Sequence, residues 1–341
     1  MSAGSTFLSR LDAKVAQQLS SQRVGYLVGA GASHLDGRGY PLAGQLWAQV
    51  GPKVRNPERD EIQAKLGGGA DGIEQALDLL DDGSVTEKPH RHLVTEAIAE
   101  HFLLLKPSTD CHQIFLRRIA ARDELSIPIF CLNYDGLFEL AADAERIRLV
   151  DGFVGLERPF FEPQTFQERL ALPHRGPRKL QADWKMGALH LYKLHGSLGW
   201  FQLGSTDVRR LGLESKTPSG AKRLMVPPQH RKGTDTTAPP YASLWSDFRG
   251  LLCHGPSLLN RLVAVGYGFR DEHLNAVIEN ALGRQNFTLL AFARGLADAV
   301  FARWSVKKNV VVVTEARCSL YGEIGPGHPY LWKFESLTQI I

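Results

Sequence analysis

His195 is the side chain of this sequence best placed to move a proton. It directly follows the apolar run Leu189-His190-Leu191-Tyr192-Lys193-Leu194 and precedes Gly196-Ser197. A histidine at a strand end, beside a glycine that admits a ligand, suits general-base work near neutral pH. A hydrogen-bonded structural histidine fits the same residues equally well. Asn133 stands in the matching place after Ile127-Pro128-Ile129-Phe130-Cys131-Leu132. Its carboxamide both donates and accepts, so it can orient a water, hold a ribose hydroxyl, or simply form a turn. Asp135, two residues on, suits the N-cap of the next helix and a ligand contact alike.

Two glycine turns complete the set. Gly29-Ala30-Gly31-Ala32-Ser33 follows the short apolar run Val24–Val28. Glycine lets a backbone close on a phosphate, and N–H groups at a helix start attract anions. His34 takes the place of the third glycine in G-x-G-x-x-G, so an ordinary tight strand-to-helix turn competes with the phosphate reading. Gly266-Tyr267-Gly268 follows Leu262-Val263-Ala264-Val265 in the same manner. Gly268 there leaves room for a ribose or the adenine side of a dinucleotide. Asp271, His273 and Asn275 open the next helix, as cap or as ligand contacts.

Strands must hold all of these residues at their ends. Phe7, Leu8, Leu11, Val15 and Leu19 recur at helical spacing before the first strand. A helix over about 42–50 follows the first glycine turn. Residues 55–122 carry almost no strand pattern, and helical spacing at Ile73–Leu80, Leu93–Leu105 and His112–Ala120 predicts an inserted helical module. Residues 151–187 have no clear period, and 204–223 read as a flexible excursion. A helix over about 244–252 and strands at 287–292 and 310–314 complete the pattern. Strand-then-helix alternation predicts an α/β fold, a Rossmann-like parallel sheet with helices on both faces. In such sheets ligands lie beyond the carboxyl ends of the strands, where every motif above falls. The tail 315–341 is rich in apolar residues, and is either docked on its own subunit or used between subunits.

The whole chain sets outer bounds. It has 341 residues, 43% of them hydrophobic and 22% charged, which argues against global disorder. No apolar run reaches the roughly 18 residues of a membrane span, and the polar start lacks a signal-peptide core, so a cytoplasmic protein is expected. A net charge of +4 does not demand nucleic acid, and direct binding to it is not predicted. The basic stretches 174–179 and 229–233 read as solvated loops or as a phosphate or partner surface. Cys111, Cys131, Cys253 and Cys318 form no C-x-x-C pair, so no metal is expected.

The four motifs, in order, resemble the sirtuin-like family in its divergent bacterial branch of antiphage NAD hydrolases. They are Gly29–Ser33, Leu132-Asn133-Tyr134-Asp135, Lys193-Leu194-His195-Gly196-Ser197 and Gly266-Tyr267-Gly268-Phe269-Arg270-Asp271-Glu272-His273-Leu274-Asn275. The resemblance implies NAD as substrate, Asn133 and His195 as catalytic residues, and cleavage of the nicotinamide–ribose bond to give nicotinamide and ADP-ribose. Its alternatives are an NAD- or ADP-ribose-binding regulatory subunit without turnover, and a protein deacylase or ADP-ribosyltransferase. Deacylases of the family carry a four-cysteine zinc module that this chain cannot build. Their Thr-Gln-Asn-Ile/Val-Asp motif reads Cys131-Leu132-Asn133-Tyr134-Asp135 here. The resemblance further implies gating by homo-oligomer assembly, by a nucleotide, or by a separate partner such as a HerA-like ATPase or an Argonaute-type protein.

Overall fold

The computed structural model describes residues 3–70, 72–80, 89–124, 126–167, 172–175, 180–183, 188–204, 206–225, 239–255 and 258–341. The strands run β1 (Val24–Val28), β2 (Ser126–Cys131), β3 (Leu149–Val150), β4 (Phe153–Val154), β5 (Phe160–Phe161), β6 (Leu172–Arg175), β7 (Leu180–Asp183) and β8 (Ala188–Lys193). They continue as β9 (Gly196–Leu203), β10 (Asp207–Arg210), β11 (Ala221–Met225), β12 (Arg261–Val265), β13 (Thr288–Phe292), β14 (Val310–Val313), β15 (Arg317–Leu320) and β16 (Glu323–Pro326). The largest sheet has the order β16-β15-β14-β13-β12-β1-β2-β8-β3. From β14 to β3 every pairing is parallel, while β15 and β16 add an antiparallel edge. Taken as six successive strands, β1, β2, β8, β12, β13 and β14 lie in the spatial order 3-2-1-4-5-6 of a doubly wound Rossmann-like sheet.

The central strands read as apolar runs because both of their faces are covered, and every residue of β1 and β14 is buried. Alternate residues feed opposite layers. Tyr26, Val28, Ile127 and Ile129 meet Leu11 and Val15 of the helix Ala3–Leu19, and Phe115 and Leu116 of the helix Asp110–Ala120. Leu27, Phe130, Tyr192 and Leu262 meet Leu244 and Phe248 of the helix Tyr241–Arg249, and Leu274 and Ile278 of the helix Glu272–Leu282.

A third core lies between the helices Ala43–Val50, Glu58–Gly67, Gly72–Leu80 and Pro89–Leu104, around Leu46, Val50, Ile62, Leu77, Ile98 and Phe102. This helical layer begins earlier than residue 55. The helix Asp110–Ala120, grouped with it by spacing, packs on the main sheet instead, because Phe115, Leu116 and Ile119 face that core.

Residues 204–223, expected as a flexible excursion, carry β10 and the start of β11. These strands flank β9 in an antiparallel sheet of order β11-β9-β10-β5-β4. Short strands with few apolar positions hide their period; of β10 only Val208 is buried. Within 151–187, expected as irregular, lie β4, β5 and the hairpin of β6 with β7. Of the basic stretches, 176–179 and 229–233 lie outside the described residues. The tail docks on its own chain: Leu331, Trp332, Phe334 and Leu337 enter the first core, and His328 Nε2 lies 3.0 Å from Asp12 Oδ1. Among the described residues, no helix is long and apolar enough to cross a membrane.

Candidate active site

Strands β1 and β12 are neighbours, and the strand order reverses between them. Their glycine turns press directly on each other. Gly29 N–H donates to Val265 O and Gly31 N–H to Gly266 O, each at 2.9 Å. A Cβ on Gly31 would lie 2.7 Å from Gly266 Cα, and one on Gly266, whose φ is +64°, would lie 2.4 Å from Ala32 N. Glycine is therefore required here by contact between two backbones. The amides of Gly31 and Ala32, expected to face a pyrophosphate, donate instead to Gly266 O and Gly29 O.

A cavity of about 180 Å³ opens above this contact. Gly29, Ala30 and Ser33 line it from the first turn, Asn133 and Asp135 from the end of β2, and His195 from the end of β8. The loop after β12 adds Gly266, Gly268, Arg270 and Asp271. Tyr40, Leu46 and Phe102 close it from the helical layer.

Asn133 is buried, and its Nδ2 donates to Ser33 Oγ (2.7 Å) and Gly29 O (3.0 Å), tying β2 to the first turn. Asp135 is buried one residue before Gly136, the N-cap of the helix Leu137–Glu145, and its Oδ1 accepts from Leu137 N–H at 3.1 Å. Expected as the N-cap, Asp135 instead turns the chain into Gly136, which holds that position, and it lines the cavity. His195 is buried, with Nε2 3.3 Å from Asp271 Oδ2. Asp271 Oδ1 accepts from the backbone N–H groups of His273 (3.1 Å) and Leu274 (3.2 Å), the N-cap of the helix Glu272–Leu282.

Other expected site residues lie outside the cavity wall. Gly196 and Ser197 start β9 in the second sheet, and Ser197 lines a neighbouring cavity of about 780 Å³. Gly31 and Ala32 are consumed by the backbone contact. His273 is exposed and contributes its backbone N–H. Asn275 is fully buried, donating to Phe269 O (2.9 Å) and accepting from Tyr267 OH (3.0 Å). It holds in place a loop in which Phe269 adopts φ +54°, a costly conformation for a bulky residue.

Four further participants carry little signal in the sequence. Tyr40 and Phe102 stack with centroids 4.6 Å apart, between the two cavities. Burial, with the charges of Asp135 and Glu139, pushes the Tyr40 phenol up, so it stays neutral. Arg270 is a cation in an otherwise apolar glycine loop, and that oddity was the available signal. Lys193 is a charged residue inside an apolar strand. It is fully buried, donates to Asp135 O, and pairs with Glu139 Oε1 at 3.0 Å. Burial pulls its pKa down, but Glu139, Cys131 and Asp135 together raise it above the ordinary value. Cys131 is a core residue, its thiol pushed up to about 12 by burial. Among the described residues, no group of three or more His, Cys, Asp or Glu is arranged to hold a metal.

A family model described as "SIR2-like domain" matches residues 128–313, more than half of the chain. No curated protein matches significantly. Among solved structures, one of a Sir2 histidine-to-tyrosine mutant with a p53 peptide and NAD is similar at 11% identity. That match covers 99% of this chain and 96% of the other, with a TM-score of 0.41. A second, on the structural basis of sirtuin substrate affinity, is similar at 11% identity, covering 92% and 93%, with a TM-score of 0.41.

Proposed function

The chain belongs to the SIR2-like family, and on that premise we propose that it binds NAD with the nicotinamide–ribose end in the 180 Å³ cavity and hydrolyses the nicotinamide–ribose bond. One observation carries the reading. Asn133, His195 and the two glycine turns come from four strand ends and line a single cavity where the strand order reverses.

The chemistry needs few ionisable groups. Nicotinamide leaves as a neutral pyridine, taking the electron pair of the broken C–N bond, so no acid must protonate it. The ribose acquires oxocarbenium character, as in glycoside cleavage. Asp135 and Asp271 put carboxylates in the wall of that cavity. A water then attacks the anomeric carbon, and His195 takes its proton. With its nitrogen committed to Ser33 and Gly29, Asn133 offers its carboxamide oxygen to the water or to a ribose hydroxyl. Arg270 is placed to meet the pyrophosphate.

On this reading the protein is an antiphage effector that depletes NAD. Its activity is gated by assembly, by a nucleotide, or by a partner such as a HerA-like ATPase or an Argonaute-type protein. An NAD-binding subunit without turnover is the second reading, favoured by the structural bonds that Asn133 already makes. The test is nicotinamide release from NAD by the purified protein, alone and with each candidate partner. Asn133→Ala and His195→Ala should each lower release by roughly 10²–10⁴-fold, and Asn133→Ala, which gives up two buried hydrogen bonds, should also lower the melting temperature. Near-wild-type turnover in either variant would remove the catalytic assignment, while binding without release would favour the second reading.

A further inference from the structure

Asp271 uses its two carboxylate oxygens for different purposes. Oδ1 accepts two backbone N–H groups at the start of the helix Glu272–Leu282. Those bonds hold the carboxylate rigidly on a sheet-packed element, whose Leu274 and Ile278 are fully buried. Oδ2 lies 3.3 Å from Nε2 of His195, and both side chains are only 5% exposed. A helix cap needs one oxygen and ordinarily leaves the other to water. Here the second oxygen is buried against an imidazole, and the two residues share one cavity wall. Strands β2 and β1 separate the strands that carry them, so only the sheet order brings the pair together.

We propose that Asp271 is the positioning residue of His195. The charge of its Oδ2, 3.3 Å from Nε2, draws the ring proton to that nitrogen, which leaves the Nδ1 lone pair to act as the base. When Nδ1 takes the proton of the attacking water, the same carboxylate stabilises the imidazolium. The charged groups lining the same cavity are Asp135 and Arg270. The inference rests on the reading of His195 as proton acceptor, and it assigns Asp271 a task beyond capping.

Asp271→Asn separates the two tasks. Asparagine caps a helix about as well as aspartate, so the melting temperature should hold; Asp271→Ala loses the cap and should lower it. Nitrogen NMR of histidine-labelled full-length protein reads which ring nitrogen carries the proton, with the His195 signals identified by their loss in His195→Ala. The proton should sit on Nε2 in the wild type and move towards Nδ1 in Asp271→Asn. For nicotinamide release, kcat should fall roughly 10²–10⁴-fold in Asp271→Asn with KM for NAD little changed. An unchanged tautomer, or an undiminished kcat in a protein that does turn over, overturns the proposal. A wild-type protein that releases no nicotinamide defeats the hydrolase reading instead, and the nitrogen spectra still decide the role of Asp271.

Discussion

His112 illustrates how one buried side chain couples the fold to pH. It is fully buried between the rings of Phe138 and Phe334, at centroid distances of 4.8 and 4.9 Å, and neither ring nitrogen has a hydrogen-bond partner among the described residues. Burial pushes its pKa down to about 3 from an ordinary 6.5. Above pH 6.5 both folded and unfolded chains hold it neutral, and stability is intact. As the pH falls below 6.5 the unfolded chain takes up a proton that the folded chain refuses, so stability is lost progressively down to about pH 3. The linkage amounts to about 2 kcal/mol at pH 5. Urea unfolding at pH 7 and pH 5 should show this difference in the wild type and lose about that much of it in His112→Leu. An equal acid sensitivity in the two proteins would mean that His112 is protonated, or reached by water, in the fold.

At the scale of elements, the decisive contact is the one between the turns after β1 and β12. Gly266→Ala places a methyl 2.4 Å from Ala32 N at a left-handed φ of +64°. Neither backbone can move without disturbing paired central strands. Gly37 has φ +90° but open space around its missing Cβ. Gly37→Ala therefore carries only the conformational cost of about 1–2 kcal/mol, and Gly266→Ala must exceed it. Thermal denaturation of the pair isolates the steric part; equal losses would mean that the two turns are not pressed together. Gly31→Val belongs to the same contact, since its Cβ would lie 2.7 Å from Gly266 Cα. It is expected to lower the melting temperature as well as NAD affinity, and a variant that lost only affinity would restore a purely phosphate-facing role for Gly31.

The molecule as a whole is closed by its tail. Strands β15 and β16 extend the main sheet, and Leu331, Trp332, Phe334 and Leu337 fill the core above the helix Asp110–Ala120. Each such side chain contributes about 1.5–3 kcal/mol by burial, so together they rival the entire net stability of an ordinary domain. Deleting residues 315–341 should abolish cooperative melting followed by circular dichroism. A truncated chain that melted like the wild type would make the tail an accessory. Leu331, Trp332, Phe334 and Leu337 are thus used within one chain, whereas Ile324, Tyr330 and Ile340 stay exposed.

The sequence by itself determined the parallel strands and the ends that carry chemistry. A strand buried on both faces must be an almost unbroken apolar run, and a glycine or polar residue directly after it marks where the chain turns. Asn133, His195, Gly29 and Gly266 were legible on that ground. Tertiary structure alone decided which of these ends meet. Helical and strand periods report neighbours along the chain, whereas the order β8-β2-β1-β12 is set by how whole elements pack. That order brings His195 to Asp271, makes Gly31 a contact with Gly266 rather than a free anion site, and leaves Gly196 and Ser197 to start another sheet. It also recruits residues 207–210 as a strand, because pairing with β9 supplies hydrogen bonds that so short a segment could not announce by its own pattern.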